Sequence, residues 1–175
     1  MGLLNSILSE HGGGVVEQIA GKFGLDKATA ERAIRSLMPA ISQGLQKNMS
    51  DSSGIESLVQ ALAGGNHQNY LDNPESLTDP AATQEGNSIL DHIFGSKEVS
   101  RSVAGNAAAR SGVSSSTLKK MLPLLAGAAM GVMSKRRSSS SGGILEIGGL
   151  LGSFLKSDDD ESTTQGLLDL AKNLF

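Results

Sequence analysis

The run Met121–Met133 constrains the fold most, because its 13 consecutive residues include no polar side chain. Spanning a bilayer takes about 20 apolar residues, and runs of about 10–14 are more often buried core helices. Gly127 and Gly131 form a G-x-x-x-G pattern, which permits close helix packing in a bundle as well as in a membrane. The run therefore predicts a helix buried in the core of the protein, and no membrane span.

Several other segments have apolar residues at helical spacing. Between Asp26 and Met49, apolar side chains recur three or four positions apart, which predicts an amphipathic helix with Asp26 as its N-cap. The segment from Gly64 to Gln84 is rich in Gly, Asn, Asp and Pro, and predicts a surface loop with at most one helical turn. The chain is therefore predicted to be all-α. Further helices are predicted at Val15–Phe23, Ile55–Leu62, Ser88–Phe94, Lys97–Arg110 and Ser114–Met133.

Two stretches share the order helix, glycine, aliphatic residue, N-cap and second helix. In the first, Gly24 stands two residues before the N-cap Asp26, and in the second, Gly112 stands two residues before the N-cap Ser114. Glycine readily adopts the left-handed conformation with which many helices end. We therefore predict a single irregular helical bundle with two helix–Gly–helix corners.

The composition changes sharply after Met133. Residues 134–143 have the sequence SKRRSSSSGG, which cannot bury enough apolar surface to fold and is typical of a flexible linker. We therefore divide the chain into a helical bundle domain, residues 1–133, a Ser-rich linker, residues 134–143, and a C-terminal region, residues 144–175.

The C-terminal region contains an apolar segment, an acidic stretch and a final amphipathic helix. On that helix Leu167, Leu170 and Leu174 share one face, which predicts a helix that docks on a partner surface. Segments this short do not fold alone, so the region is expected to be a tethered helical arm. The sequence leaves open whether the arm docks in cis or in trans.

Part of the chain resembles a known bacterial family. The order GNSILDHIFG, then AARSGVSSSTLKKMLPLLAGAAMGVM, with GLL-type segments at both ends, resembles the YidB-like family of proteins of unknown function. The resemblance extends from Gly2 to about Met133, with a looser match at Gly166–Phe175. It implies an all-α fold and a bacterial source, and it brings no catalytic or binding residues to this chain.

The sequence lacks the motifs of the common enzyme and metal sites. There is no cysteine, so disulfides and thiolate zinc sites are excluded. Nucleotide-binding loops, hydrolase elbows and zinc-protease motifs are also missing, and His11, His67 and His92 are interpreted as solvated or capping side chains. We expect a protein that is not an enzyme and needs no cofactor or metal.

Because the N-terminus lacks a secretory signal, a cytoplasmic location is expected.

Two functions remain open. The leading interpretation is a non-enzymatic helical interaction module that binds an unidentified protein or another copy of itself. The alternative is a nucleic-acid-binding protein whose helix-turn-helix-like unit spans residues 97–120 and uses Arg110, Lys119 and Lys120. The net charge of −3 and the apolar character of the second helix do not favour this alternative.

Overall fold

A computed structural model describes residues 3–9, 13–65 and 67–139. These residues form α-helices joined by short connections, and none of them forms a strand, which confirms the all-α prediction. The helices are α1 (Leu3–Ser9), α2 (Gly14–Phe23), α3 (Lys27–Met49), α4 (Ser52–Gly64), α5 (Asn69–Asp72), a 3-10 helix (Pro74–Thr78), α6 (Pro80–Phe94), α7 (Lys97–Ser111) and α8 (Ser115–Ser139).

Helix α8 lies at the centre of the bundle. Every residue from Met121 to Met133 is buried, as the apolar run predicted. Each of the other helices of the described chain contacts α8, and the most extensive contacts are with α6 and α7. A helix that is apolar on all sides is stable in water only when neighbours cover all of those sides. The bundle is therefore arranged around α8.

The closest approach in the core is between α6 and α8. Gly86 of α6 lies against the backbone of Pro123 in α8, and a Cβ atom at Gly86 would overlap the Pro123 carbonyl oxygen. The glycines of the G-x-x-x-G pattern face the segment around α5 instead. Gly127 lies beside the ring of Tyr70, and a Cβ at Gly131 would come within 2.6 Å of the His67 carbonyl oxygen.

Both predicted helix–Gly–helix corners are present. Gly24 and Gly112 have φ angles of 64° and 73°, in the left-handed region that favours glycine. The Asp26 carboxylate accepts the Thr29 N–H at 2.9 Å, so that Asp26 caps α3 as predicted. Hydrogen bonds from the Thr29 hydroxyl and the Thr29 N–H hold the pKa of Asp26 below its usual value. The corners therefore set the directions of α3 and α8.

The prediction of a surface loop from Gly64 to Gln84 is wrong. This segment contains α5, the 3-10 helix and the first turn of α6, which starts eight residues before the predicted Ser88. Proline favours the first turn of a helix, and Pro80 occupies that position. Tyr70, Leu71 and Leu77 are buried, so tertiary packing orders a segment whose polar composition suggested a loop.

The predicted linker is corrected at its start, because α8 continues to Ser139. Adding residues to an existing helix costs far less than nucleating a new one. The added turn also has tertiary contacts: the Gln68 amide donates to the Ser134 carbonyl at 3.0 Å, and the Arg136 guanidinium donates to the Ser6 hydroxyl at 3.2 Å. The predicted arm, including Leu167, Leu170 and Leu174, lies outside the described residues.

The crossing of α6 and α8 can be tested with Gly86→Ala. The new methyl group cannot be accommodated without separating two helix backbones, so we expect a loss of about 1–3 kcal/mol in the free energy of unfolding. Gly105→Ala in α7 is the matched control, since nothing lies within 4 Å of a Cβ there. Helix propensity should make the control more stable by about 0.5–1 kcal/mol. Urea unfolding measures both, and a parent-like stability of Gly86→Ala would contradict the close approach.

Candidate interaction surfaces

A small depression lies between α3, α4 and α6, with α8 at its base, and its cavity volume of about 20 Å³ has room for roughly one water molecule. We call it the α3–α4–α6 groove. Its polar lining is limited to Asn48, Ser57 and His92. The surface is therefore suited to an apolar ligand rather than a charged one. Its larger apolar lining residues are Leu45 of α3, Leu58 and Ala61 of α4, Ile89 and Ile93 of α6, and Met130 of α8.

Hydrogen bonds and close backbone contacts fix two walls of this groove. The Asn48 amide donates to the carbonyl oxygens of Gly44, at 3.0 Å, and Ile93, at 3.2 Å, and so joins α3 to α6. At the start of α4, a Cβ at Gly54 would overlap the Asn48 carbonyl oxygen. Only a glycine there permits α4 to turn back so closely along α3.

Helix α4 is incompletely covered by the rest of the domain. Among its residues only Leu62 is a buried hydrophobic side chain. Ile55, Leu58 and Val59 are half-buried. A helix with an apolar face that is only partly covered retains surface for another apolar group. Of the groove walls in the described chain, α4 is thus the one that buries the least of its apolar face.

A polar cluster of buried His67 and Tyr70 with half-buried Glu85 holds the far end of α4. The His67 ring is 2% exposed, and its Nε2 lies 2.9 Å from the Ala61 carbonyl oxygen. A carbonyl only accepts, so Nε2 carries a hydrogen and satisfies one of the last carbonyls of α4. His67 Nδ1 lies 3.2 Å from Glu85 Oε1, without hydrogen-bond alignment. The cluster thereby connects α4 to α6.

The phenol of Tyr70 completes this cluster. Its hydroxyl donates to Glu85 Oε2. Burial, followed by the hydrogen bond and the negative charge of Glu85, raises the pKa of Tyr70 above the usual value of about 10. His67 Nδ1 is buried without a hydrogen-bond partner, whereas His67 Nε2, the Tyr70 hydroxyl and the Glu85 carboxylate are bonded within the fold and help to position α4, α5 and α6.

The predicted nucleic-acid-binding residues lie at the α7–α8 corner. Arg110, Lys119 and Lys120 are exposed, and they form no hydrogen bond or ion pair with other residues of the described chain. We call these three side chains the basic corner. From Met121 onward α8 is buried, so only its first turns could contact a ligand. The corner can present positive charge, but most of α8 cannot enter a DNA groove.

The three histidines have different surroundings. His67 caps the end of α4, and capping was one of the two roles predicted from the sequence. His92 is exposed at the edge of the α3–α4–α6 groove. His11 lies outside the described residues. Neither the groove nor the polar cluster has a sequence motif, because each joins side chains from several helices. In the part of the chain that the structure describes, no helix has the length and apolarity needed to cross a membrane.

The comparison with protein-family models finds one match. The model of the DUF937 family, described as a bacterial protein of unknown function, matches residues 5–136. YidB-like proteins belong to this family, so the resemblance in the sequence is confirmed. No curated protein and no solved structure matches the chain.

The environment of Tyr70 can be tested by alkaline titration. The chain has one tyrosine and no tryptophan, so the ultraviolet absorbance of tyrosinate reports Tyr70 alone. Since its folded pKa is raised, the stability due to the protonated phenol is complete below about pH 10 and is lost as the pH rises further. We expect the folded protein to ionise Tyr70 well above pH 10, and Tyr70→Phe to lose less stability over the same range.

Glu85→Gln is the matched variant for this titration, because it removes the charge and keeps an oxygen that can accept the phenol hydrogen. Its Tyr70 should ionise at a lower pH than that of the parent. Ionisation of the parent near pH 10, while circular dichroism still shows the folded state, would contradict the buried cluster.

Proposed function

The chain belongs to the bacterial DUF937 family, and from this premise we propose that it is a non-enzymatic helical protein-interaction module. The observation that carries the proposal is the incompletely covered apolar face of α4, with half-buried Ile55, Leu58 and Val59, beside the α3–α4–α6 groove. A partly covered apolar helix face can pack against the apolar face of a partner helix.

The composition of the groove favours a helix as its ligand. Leu45, Ile89 and Ile93 are buried at its base, while Leu58 and Ala61 are half-buried at its edge. Burying apolar surface yields about 25 cal/mol per Å², so a ligand that covers the half-buried side chains of α4 would gain most of its binding energy from that contact. The absence of carboxylates and cationic side chains from the lining supports an apolar ligand.

The polar groups of the domain support a structural rather than a catalytic role. His67 and Tyr70 are buried and Glu85 is half-buried, and their polar atoms contact one another and the Ala61 carbonyl oxygen. A catalytic group needs an accessible position for a reacting atom beside it. The cytoplasmic location and the absence of a cofactor stay predictions.

In-cell photo-crosslinking tests the interaction module. A photoreactive amino acid replaces Ser57 at the edge of the groove in the full-length protein, and the same replacement of the exposed Ser102 in α7 serves as the control. We expect Ser57 to give protein adducts that map to a segment with apolar residues at helical spacing. If Ser57 gives no more protein adducts than Ser102 does, the proposal is wrong.

Nucleic-acid binding is the second candidate, and the exposed basic corner is the observation that favours it. The N-terminal turns of a second helix in such a corner can contact phosphates or base edges. The buried run from Met121 onward restricts any contact to the residues before it. The candidate is therefore a phosphate-binding corner rather than a full recognition helix.

Salt-dependent binding to duplex DNA tests this second candidate. If the corner binds phosphates, Lys119→Glu with Lys120→Glu should weaken binding and lower the dependence of log affinity on log salt by about 2. Lys27→Glu with Arg35→Glu, two exposed residues of α3, changes the net charge equally and should have a smaller effect. A parent protein that binds no duplex at low salt would end this candidate.

A further inference from the structure

We propose that His67 is a pH-sensitive latch, which holds α4 to α6 more firmly when its Nδ1 carries a proton than when it does not. The latch goes beyond the proposed function and does not depend on it, although both concern α4. The positions of the Ala61 carbonyl, the His67 ring and the Glu85 carboxylate support it.

The last turn of α4 depends on the His67 ring. The glycines that follow α2, α6 and α7 have left-handed backbone, whereas Gly65, which follows α4, is extended. A left-handed glycine allows backbone N–H groups to satisfy the last carbonyls of a helix. At α4 the imidazole takes this role, because His67 Nε2 donates to the Ala61 carbonyl oxygen at 2.9 Å.

The second nitrogen of the ring faces α6. His67 Nδ1 is buried and lies 3.2 Å from Glu85 Oε1. A neutral ring has one hydrogen, which Nε2 holds, so Nδ1 is then an acceptor beside a carboxylate that can only accept. A proton on Nδ1 turns this contact into attraction between opposite charges and supplies the donor for a charge-assisted hydrogen bond. Protonation therefore strengthens the connection between α4 and α6.

The surrounding atoms keep the ring and the carboxylate together. A Cβ atom at Gly65 would overlap the His67 ring and would come within 2.6 Å of Glu85 Oε1. The backbone at Gly65 therefore covers both partners closely. The Tyr70 hydroxyl donates to Glu85 Oε2, which fixes the carboxylate from its other side. Oε1 consequently stays beside Nδ1 in either protonation state of the ring.

The titratable groups beside His67 come from α5 and α6. Glu85 of α6 is the carboxylate in contact with the ring, and the centre of the Tyr70 ring of α5 lies 6.2 Å from that of the imidazole. Burial, followed by the hydrogen bond and charge of Glu85, raises the pKa of Tyr70, so the phenol stays neutral where histidine titrates. Asp79, just before α6, adds negative charge near Tyr70. These groups favour a positive charge on the imidazole.

The helices around His67 offer no lysine or arginine that would oppose this charge. Residues 51–96, which include α4, α5 and α6, contain neither residue. The one acidic side chain of α4, Glu56, is exposed. Helix α8 faces the His67 carbonyl with Gly131 and has no titratable side chain between Lys120 and Lys135.

The latch closes as the pH falls. Histidine changes its charge between about pH 5 and 8. The unfolded chain lacks the contact with Glu85, so the folded state binds the Nδ1 proton more tightly than the unfolded chain does. The stability that the latch contributes is therefore present in mild acid and is lost as the pH rises.

Hydrogen–deuterium exchange of the full-length protein tests the latch. After correction for the intrinsic effect of pH, we expect the last two turns of α4 to be about fivefold better protected in mild acid than in mild alkali, as for a partly exposed ion pair. Helix α7, which contributes no residue to the cluster, is the internal control and should not change. Equal protection of α4 at both pH values would overturn the proposal.

Three variants identify the groups responsible. His67→Gln keeps an amide that can donate to the Ala61 carbonyl but takes up no proton, and Glu85→Gln removes the negative charge. Both should abolish the pH dependence of protection in α4, whereas His92→Gln, at an exposed histidine of α6, should preserve it. If His67→Gln does not fold, Glu85→Gln decides: a pH dependence that survives in this variant contradicts the latch.

Nitrogen NMR of the His67 ring provides a readout that does not depend on stability. We expect a hydrogen on Nε2 alone in mild alkali and on both nitrogens in mild acid. A hydrogen on Nδ1 alone in mild alkali, or a bare Nδ1 at about pH 5, would show that the latch is wrong. Because photo-crosslinking at Ser57 is a separate measurement, adducts there together with a pH-independent α4 would disprove only the latch.

Discussion

The fold depends on the burial of α8 on all of its sides. An amphipathic helix needs one neighbour, but a helix without a polar face from Met121 to Met133 needs several. Burying a leucine-sized side chain contributes about 1.5–3 kcal/mol, so this run supplies the largest concentrated stabilisation in the described chain. The remaining helices can keep polar outer faces because α8 is a common apolar partner for all of them.

Coverage by so many helices requires small residues at the crossings. Gly86 brings α6 to the backbone of α8, and Ala104 and Ala107 are the buried residues with which α7 packs closely. At Gly127, α8 leaves room for the ring of Tyr70. Helix α4 has one of the least extensive contacts with α8, and part of its apolar face consequently stays uncovered in the described chain. The groove follows from how α8 is surrounded.

Periodicity and capping were sufficient to predict the long elements. Apolar spacing located α3 and α7, the apolar run located the buried part of α8, and glycine followed by an N-cap located both corners. The same signals missed α5, the 3-10 helix and the start of α6, since tertiary contacts of Tyr70 and Leu77 stabilise elements too short to show a period. The groove and polar cluster could not be predicted, because their residues come from helices distant in sequence.

The two candidate functions differ in their dependence on charge. The basic corner is exposed, so its attraction for a nucleic-acid phosphate would be screened beyond about 8 Å at physiological ionic strength. Apolar docking in the α3–α4–α6 groove is not weakened by salt in this way. On the proposed function, apolar contacts would therefore set the affinity for a protein partner, whereas the basic corner would give only a salt-dependent contribution.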